Sequence, residues 1–149
     1  MLPLDIFVTY FSAYSAHMIE YEGVLYPTVE HAYHCLRFED EQVRAVIRAA
    51  RSPVLAWRLS QEYKETARQA AGFSDRKAEV MAILCRAKLE QHADVRQALI
   101  DSGDVRIVKH ITTGPPADGF WDDGEDGQGR NEVGEIWMRL RNEIVANDE

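Results

Sequence analysis

A chain of 149 residues, 46% of them hydrophobic, fits one globular domain with its own core and leaves no room for two. Its formal charge of −8, from 25 Asp plus Glu against 17 Lys plus Arg, argues against nonspecific binding to a nucleic-acid backbone, which depends on Lys and Arg displacing counterions. A single nucleotide in a pocket is still compatible with that charge. Met1 to Tyr14 shows no basic start with a long apolar run, and no stretch approaches about 18 consecutive apolar residues, so neither a signal peptide nor a membrane span is expected. Cys35 and Cys85 have no CxxC or zinc spacing and read as buried thiols, which suits a reducing cytoplasm.

In chain order, Leu4 to Tyr10 (LDIFVTY) reads as a strand, and Met18 to Tyr26 as a short hairpin turning at Glu22-Gly23. From Thr28 to about Ser102 the pattern is helical. Thr28 caps a first helix with Val29, Ala32, Tyr33 and Leu36 at helical spacing; Asp40 opens a second carrying Val43, Val46 and Ile47; Ser52-Pro53 starts a third. Ser74 or Asp75 should cap the longest helix, whose inward stripe is Val80, Ile83, Leu84, Ala87, Lys88 and Leu89, and Ala93 to Ile100 adds a short one. Val105 to Val108 (VRIV) looks like a second strand. Thr112 to Arg130 is irregular, rich in Gly, Pro and Asp, and too long for a mere connector, so a functional loop is expected there. Asn131 to Val145 closes the pattern as a helix. The expected fold is mainly α, one helical domain over residues 1–149 with a few short strands.

Two segments carry the chemistry. Glu30 lies one residue inside a helix that begins at the Thr28 cap, directly after a turn, which fixes one carboxylate in place. Its alternative reading is a solvent-exposed acid favoured by the helix dipole. The glycine loop runs into Asn131, where the N–H groups of a helix start can meet an anion. Together they suggest a pocket with one catalytic acid and one anion-friendly wall. Asp118 is the candidate second carboxylate, or else a turn residue after Pro115-Pro116. Trp121, an apolar ring in a loop, is a candidate stacking face for a base. Two metal-like patterns fail on inspection. His31 and His34 stand at i, i+3 without HExxH order or a third ligand, and Asp122 to Val133 has Gly124 and Val133 where a calcium loop needs oxygens. No metal and no cofactor are expected.

The order Phe11-Ser12, Tyr21, Gly23, Tyr26-Pro27-Thr28-Val29-Glu30-His31-Ala32-Tyr33, Arg37-Phe38, Ser52-Pro53, Lys77, Val80-Met81, Lys88, Asp118, Phe120-Trp121, Gly127, Gly129, Asn131, Gly134, Met138, Arg141 resembles the NADAR family of YbiA-like N-glycosidases, over nearly the whole chain. The resemblance implies a mostly helical enzyme that hydrolyses a bond between a ribose and a base-like nitrogen. Its implied substrates are ribosylamino-pyrimidine phosphates of riboflavin synthesis or ADP-ribosylated guanine, free or in nucleic acid. It implies Glu30 as catalytic carboxylate with Asp118 as the second acid. Phe11, Ser12, Arg37, Phe73, Trp121, Gly129 and Asn131 would then line the substrate, with Arg37 standing where relatives have Lys and able to grip a phosphate bidentately.

Three positions depart from the family pattern. Ala13 replaces an Asn, Phe73 a Trp, and Asp122 a Gly directly after Trp121. They remove an amide and an indole N–H, and they add a carboxylate to the phosphate side. Reaction type is therefore expected to be kept more faithfully than substrate. The competing readings are a binding module for ADP-ribose or a related nucleotide, favoured by the departures, and a purely structural protein, disfavoured by Trp121 and the glycine run.

Overall fold

The computed structural model describes residues 1–111 and 116–148. As expected, the fold is mainly helical, with a single two-stranded sheet among those residues. Two compact units make up the chain: Ala16–Lys88, and Met1–Ser15 together with Leu89–Glu149.

The contiguous unit opens with strands β1 (Ile19–Tyr21) and β2 (Val24–Tyr26), antiparallel with Ile19 opposite Tyr26. The turn falls at Glu22 and Gly23, both at positive φ (51° and 80°), the twist that a two-residue hairpin loop requires. Helix α1 (Val29–Leu36) follows, then α2 (Glu41–Arg48), α3 (Pro53–Tyr63) and most of α4 (Phe73–Gln91). The caps are those read from the sequence. Thr28 Oγ1 accepts from His31 N–H at 3.1 Å, Asp40 Oδ1 from Gln42 N–H at 2.7 Å and Ser52 Oγ from Leu55 N–H at 3.1 Å. Each satisfies an orphan donor of a first turn, and Pro53 stands where a missing N–H costs nothing.

Helix α1 is the centre of this unit. It packs against α2, α3 and β2, and every residue from Val29 to Cys35 is buried, Glu30, His31 and His34 included. An amphipathic surface helix would leave those three in water. Residues after α3 return to the end of α1: Ala70 N–H donates to Arg37 O at 2.8 Å, and Phe38 bridges Gln69. Helix α4 starts at Phe73, one turn-residue earlier than the expected Ser74 or Asp75 cap, directly after Gly72 at φ 72°. Its inward stripe is Met81, Leu84, Cys85, Lys88 and Leu89; Val80 is only half-buried and Ile83 faces out.

In the other unit both expected strands are corrected. Leu4–Ile6 is a turn of α-helix and Phe7–Phe11 a π-helical turn closed by Ser12 N–H donating to Phe7 O. The β-branched and aromatic residues of the segment suggested a strand, but Phe7 and Phe11 bury together at four-residue spacing behind Pro3, which is helical logic. Val105 to Val108 forms no strand and has no partner strand among the described residues. Side chains and a lone amide take the partner's place: Asn131 Nδ2 donates to Ile107 O at 2.9 Å, Lys109 N–H donates to Asn131 Oδ1 at 2.7 Å, Arg141 Nη1 donates to Val105 O at 2.7 Å, and Leu2 N–H donates to Arg106 O. Helix α5 (Ala93–Asp101) and helix α6 (Glu132–Asp148) complete this unit. The core of α6 is Val133, Gly134, Ile136, Trp137, Leu140 and Ile144. A Cβ on Gly134 would run into Ile107 O and the Asn131 amide, so only glycine fits.

Candidate functional site

Helix α1 carries the first group of expected site residues. The Thr28 cap places Glu30 in the first turn, and the helix sits inside the unit, so the carboxylate is 7% exposed and not the solvated acid that was its alternative reading. Its Oε1 accepts from His34 Nε2 at 2.6 Å, a buried i, i+4 pair. From the sequence, His34 reads as a satisfied or surface histidine in preference to a metal ligand; its four-residue spacing to Glu30 is the signal that marks it as a partner of that carboxylate. Arg37 ends the same helix at αR dihedrals, so Glu30, His34 and Arg37 form one stripe at i, i+4, i+7. Among the described residues, His34 Nδ1 and Arg37 Nε are buried side-chain nitrogens with no hydrogen-bond partner. Both lie on that stripe.

Phe73 joins this group from the start of α4. Its ring is 5.3 Å from Tyr33, and Tyr33 stands edge-on to the His34 imidazole at 5.1 Å. His31, on another face of α1, is fully spoken for. Its Nε2–H donates to Ala50 O at 2.9 Å and its Nδ1 accepts from Thr28 O–H at 2.8 Å, the tautomer being set by those partners. Burial pushes its pKa below the ordinary histidine value, although the Ala50 carbonyl and Glu30 oppose the shift. Such an imidazole is a structural strut, with no nitrogen left for a metal. Cys35 is also structural: burial pushes its thiol up to about 12, and Sγ donates to Arg44 O at 3.3 Å.

The second group lies in the other unit, in the loop that leads into α6. Asp118 is exposed, and its Oδ1 accepts from Phe120 N–H at 2.8 Å and Trp121 N–H at 3.2 Å. Its Oδ2 carries no hydrogen bond to a described residue. Trp121 is half-buried and meets Phe120 edge-to-face at 4.7 Å, while the Arg130 guanidinium covers the Phe120 ring at 4.5 Å. Gly129 is packed so closely on Asp122, Asp123 and Gly119 that a Cβ would come within 2.6 to 2.8 Å of them. Asn131 is wholly buried at φ 53°, both ends of its amide bonded to the backbone of Ile107 and Lys109.

Asp122 turns out to be the hub of this loop. It is 3% exposed; Oδ1 accepts from Gly119 and Gly124 N–H at 3.0 and 2.8 Å, Oδ2 from Asp118 N–H at 3.2 Å. Burial alone would raise its pKa, but these three N–H groups, helped by Lys109, hold the carboxyl below its usual range. The carboxylate expected to face a phosphate is therefore turned into the loop and hydrogen-bonded there. The expected anion wall is corrected too. At the start of α6, Glu132 N–H donates to Phe120 O at 2.9 Å and Val133 N–H to Trp121 O at 3.2 Å, so these first donors are occupied. Asp126, the other acid of the calcium-like pattern, spends Oδ1 on Gln128 N–H.

Phe11 and Ser12 sit at the end of the π-helical turn in the same unit. Phe11 is 1% exposed, its ring 5.1 Å from Trp137, and Trp137 Nε1 donates to Phe11 O at 2.9 Å. Ser12 Oγ accepts from Tyr14 N–H at 3.1 Å, and Ala13 is buried. Trp137 is thus both packing and a hydrogen-bonded clamp.

A family model described as "NADAR domain" matches residues 6–145. The chain is 34% identical over 135 residues to N-glycosidase YbiA of Escherichia coli (strain K12), covering 91% of this chain and 81% of the relative. It is 34% identical over 126 residues to riboflavin biosynthesis protein VVA0006 of Vibrio vulnificus (strain YJ016), covering 85% of this chain and 33% of that longer protein. The NMR structure of E. coli YbiA superimposes with a TM-score of 0.79 at 32% identity, over 93% of this chain and 79% of that one.

Proposed function

Because the chain belongs to the NADAR family, we propose that it hydrolyses the N-glycosidic bond of a ribosylated, phosphate-bearing nucleotide-like molecule, with Glu30 as the catalytic carboxylate. It is an enzyme of the N-glycosyl hydrolase class. The observation that carries the assignment of Glu30 is the burial of its carboxylate against His34 on the central helix of its unit. Burying a carboxylate is costly unless it is paired, and here the partner is the His34 imidazole on the same helix.

As the ribose C–N bond breaks, positive charge develops on the sugar. A carboxylate held in place stabilises that charge and positions the attacking water, whose oxygen bonds to the sugar carbon as the C–N bond breaks while one of its protons ends on the leaving nitrogen. Water is the only co-reactant, so no cofactor and no metal are needed. Arg37, on the same helix as Glu30, meets the substrate phosphate; within the other unit, Trp121 is the candidate stacking face and Asp118, with its unengaged Oδ2, the candidate second carboxylate. Asn131 and Gly129 serve by holding the loop that carries Trp121. Phe11 and Ser12 shape the wall at the π-helical turn, and Phe73 backs Tyr33. The substrate is a ribosylamino-pyrimidine phosphate, a reading supported by the riboflavin-biosynthesis name of one relative, or ADP-ribosylated guanine. The enzyme works in the cytoplasm, consistent with two free cysteines; among the described residues no helix is long and apolar enough to cross a membrane.

The test is base release followed by mass spectrometry, with wild type and Glu30→Gln on a ribosylamino-pyrimidine phosphate, ADP-ribosylated guanosine and NAD. Free base with wild type and none with the variant is the expected result. No turnover of any of the three, with binding of ADP-ribose, would replace the enzyme by a nucleotide-binding module.

A further inference from the structure

We propose that His34 is a positioning residue for this chemistry: its Nε2–H holds the Glu30 carboxylate in one orientation. The inference rests on the assignment of Glu30 as the catalytic group. The geometry defines the proton's place. Nε2 lies 2.6 Å from Glu30 Oε1, a short hydrogen bond, and Nδ1 is buried without a partner. With the proton on Nε2, Nδ1 keeps only an unused lone pair. With the proton on Nδ1, an N–H donor would be buried with nothing to accept it, the costlier arrangement. The same contact fixes the ring, because Tyr33 closes its edge at 5.1 Å and Phe73 backs Tyr33 in turn. Glu30 and His34 are both within one helix, so the donor and the carboxylate it orients share a rigid backbone.

Three variants separate this role from a structural one. His34→Gln keeps an N–H donor at similar reach, His34→Leu removes it, and Glu30→Gln removes the carboxylate. Turnover of a ribosylamino-pyrimidine phosphate and of ADP-ribosylated guanosine is measured alongside melting temperature. Loss of one hydrogen bond to a charged group predicts that His34→Leu lowers kcat about 10- to 100-fold with KM within about twofold. His34→Gln should recover most of that loss. In the Glu30→Gln background, His34→Leu should have no further effect on kcat, since its only route is through the carboxylate.

Unchanged kcat in His34→Leu, or equal impairment in Gln and Leu, would overturn the inference while leaving Glu30 in place. Undiminished turnover in Glu30→Gln would remove both. Should His34→Leu not fold, the imidazole 15N spectrum of the wild type decides: a proton on Nε2 with bare Nδ1 supports the inference, and a proton on Nδ1 alone overturns it.

Discussion

Helix α1 and the loop from Asp118 to Asn131 are both dense in polar side chains, and they use them in opposite ways. In the loop nearly every group is consumed internally. Asp122 takes three N–H groups, Asp118 two, Asn131 two backbone partners, and the first donors of α6 close onto Phe120 and Trp121 carbonyls. Helix α1 instead buries Glu30 against His34 and leaves His34 Nδ1 and Arg37 Nε unmade. A polar network satisfied from within is a scaffold. One with buried capacity left over has room for an interaction the protein alone does not complete.

The contrast makes predictions that differ in kind. Largest is Glu30→Gln, which should cut turnover about 10²- to 10⁴-fold, the range for a lost acid–base or charge-stabilising group, while melting shifts little. If stability falls as sharply as activity, α1 is scaffold as well and the contrast collapses. Next is Gly134→Ala, whose methyl must displace Ile107 O or the Asn131 amide; about 3 kcal/mol of stability should be lost, read from denaturant midpoints.

Asp122→Asn should cost about 1–2 kcal/mol at neutral pH by weakening its charge-assisted bonds. Its folded pKa lies below the ordinary value, so its contribution is present above about pH 4 and is lost as pH falls through the lowered pKa. Wild type and variant should therefore converge in stability in acid, and a gap that widens there would remove Asp122 as the hub. Smallest is Arg37→Gln, expected to raise KM for a phosphorylated substrate about 5- to 10-fold and leave melting unchanged. An equal KM on phosphorylated and dephosphorylated substrate would take the phosphate away from Arg37.

What was legible in the sequence was chemistry confined to a few neighbouring residues. The Glu22-Gly23 turn rests on two residues at positive φ, and the Thr28, Asp40 and Ser52-Pro53 starts each rest on one side chain and a donor two or three residues away; all stand in the structure. The two failed strands have different causes. Whether VRIV becomes a strand depends on a partner, and its partners turned out to be Asn131, Arg141 and the Leu2 amide, from far along the chain. LDIFVTY had strand composition but a helical burial pattern. At the site, Glu30 could be singled out, yet its burial and its bond to His34 could not, because they follow from α1 being enclosed on all sides. That three loop amides face Asp122 is likewise not legible locally.

The bond from Trp137 Nε1 to the Phe11 carbonyl spans 126 residues of sequence. A ribosome adding about 5–20 residues per second will have made Ala16–Lys88 in full some seconds before Trp137 emerges. The hairpin and the helices of that contiguous unit can therefore settle first, whereas Phe11 waits for a helix not yet synthesised. For those seconds the leading segment is the part of the nascent chain most open to chaperones and to aggregation, and it is fastened last.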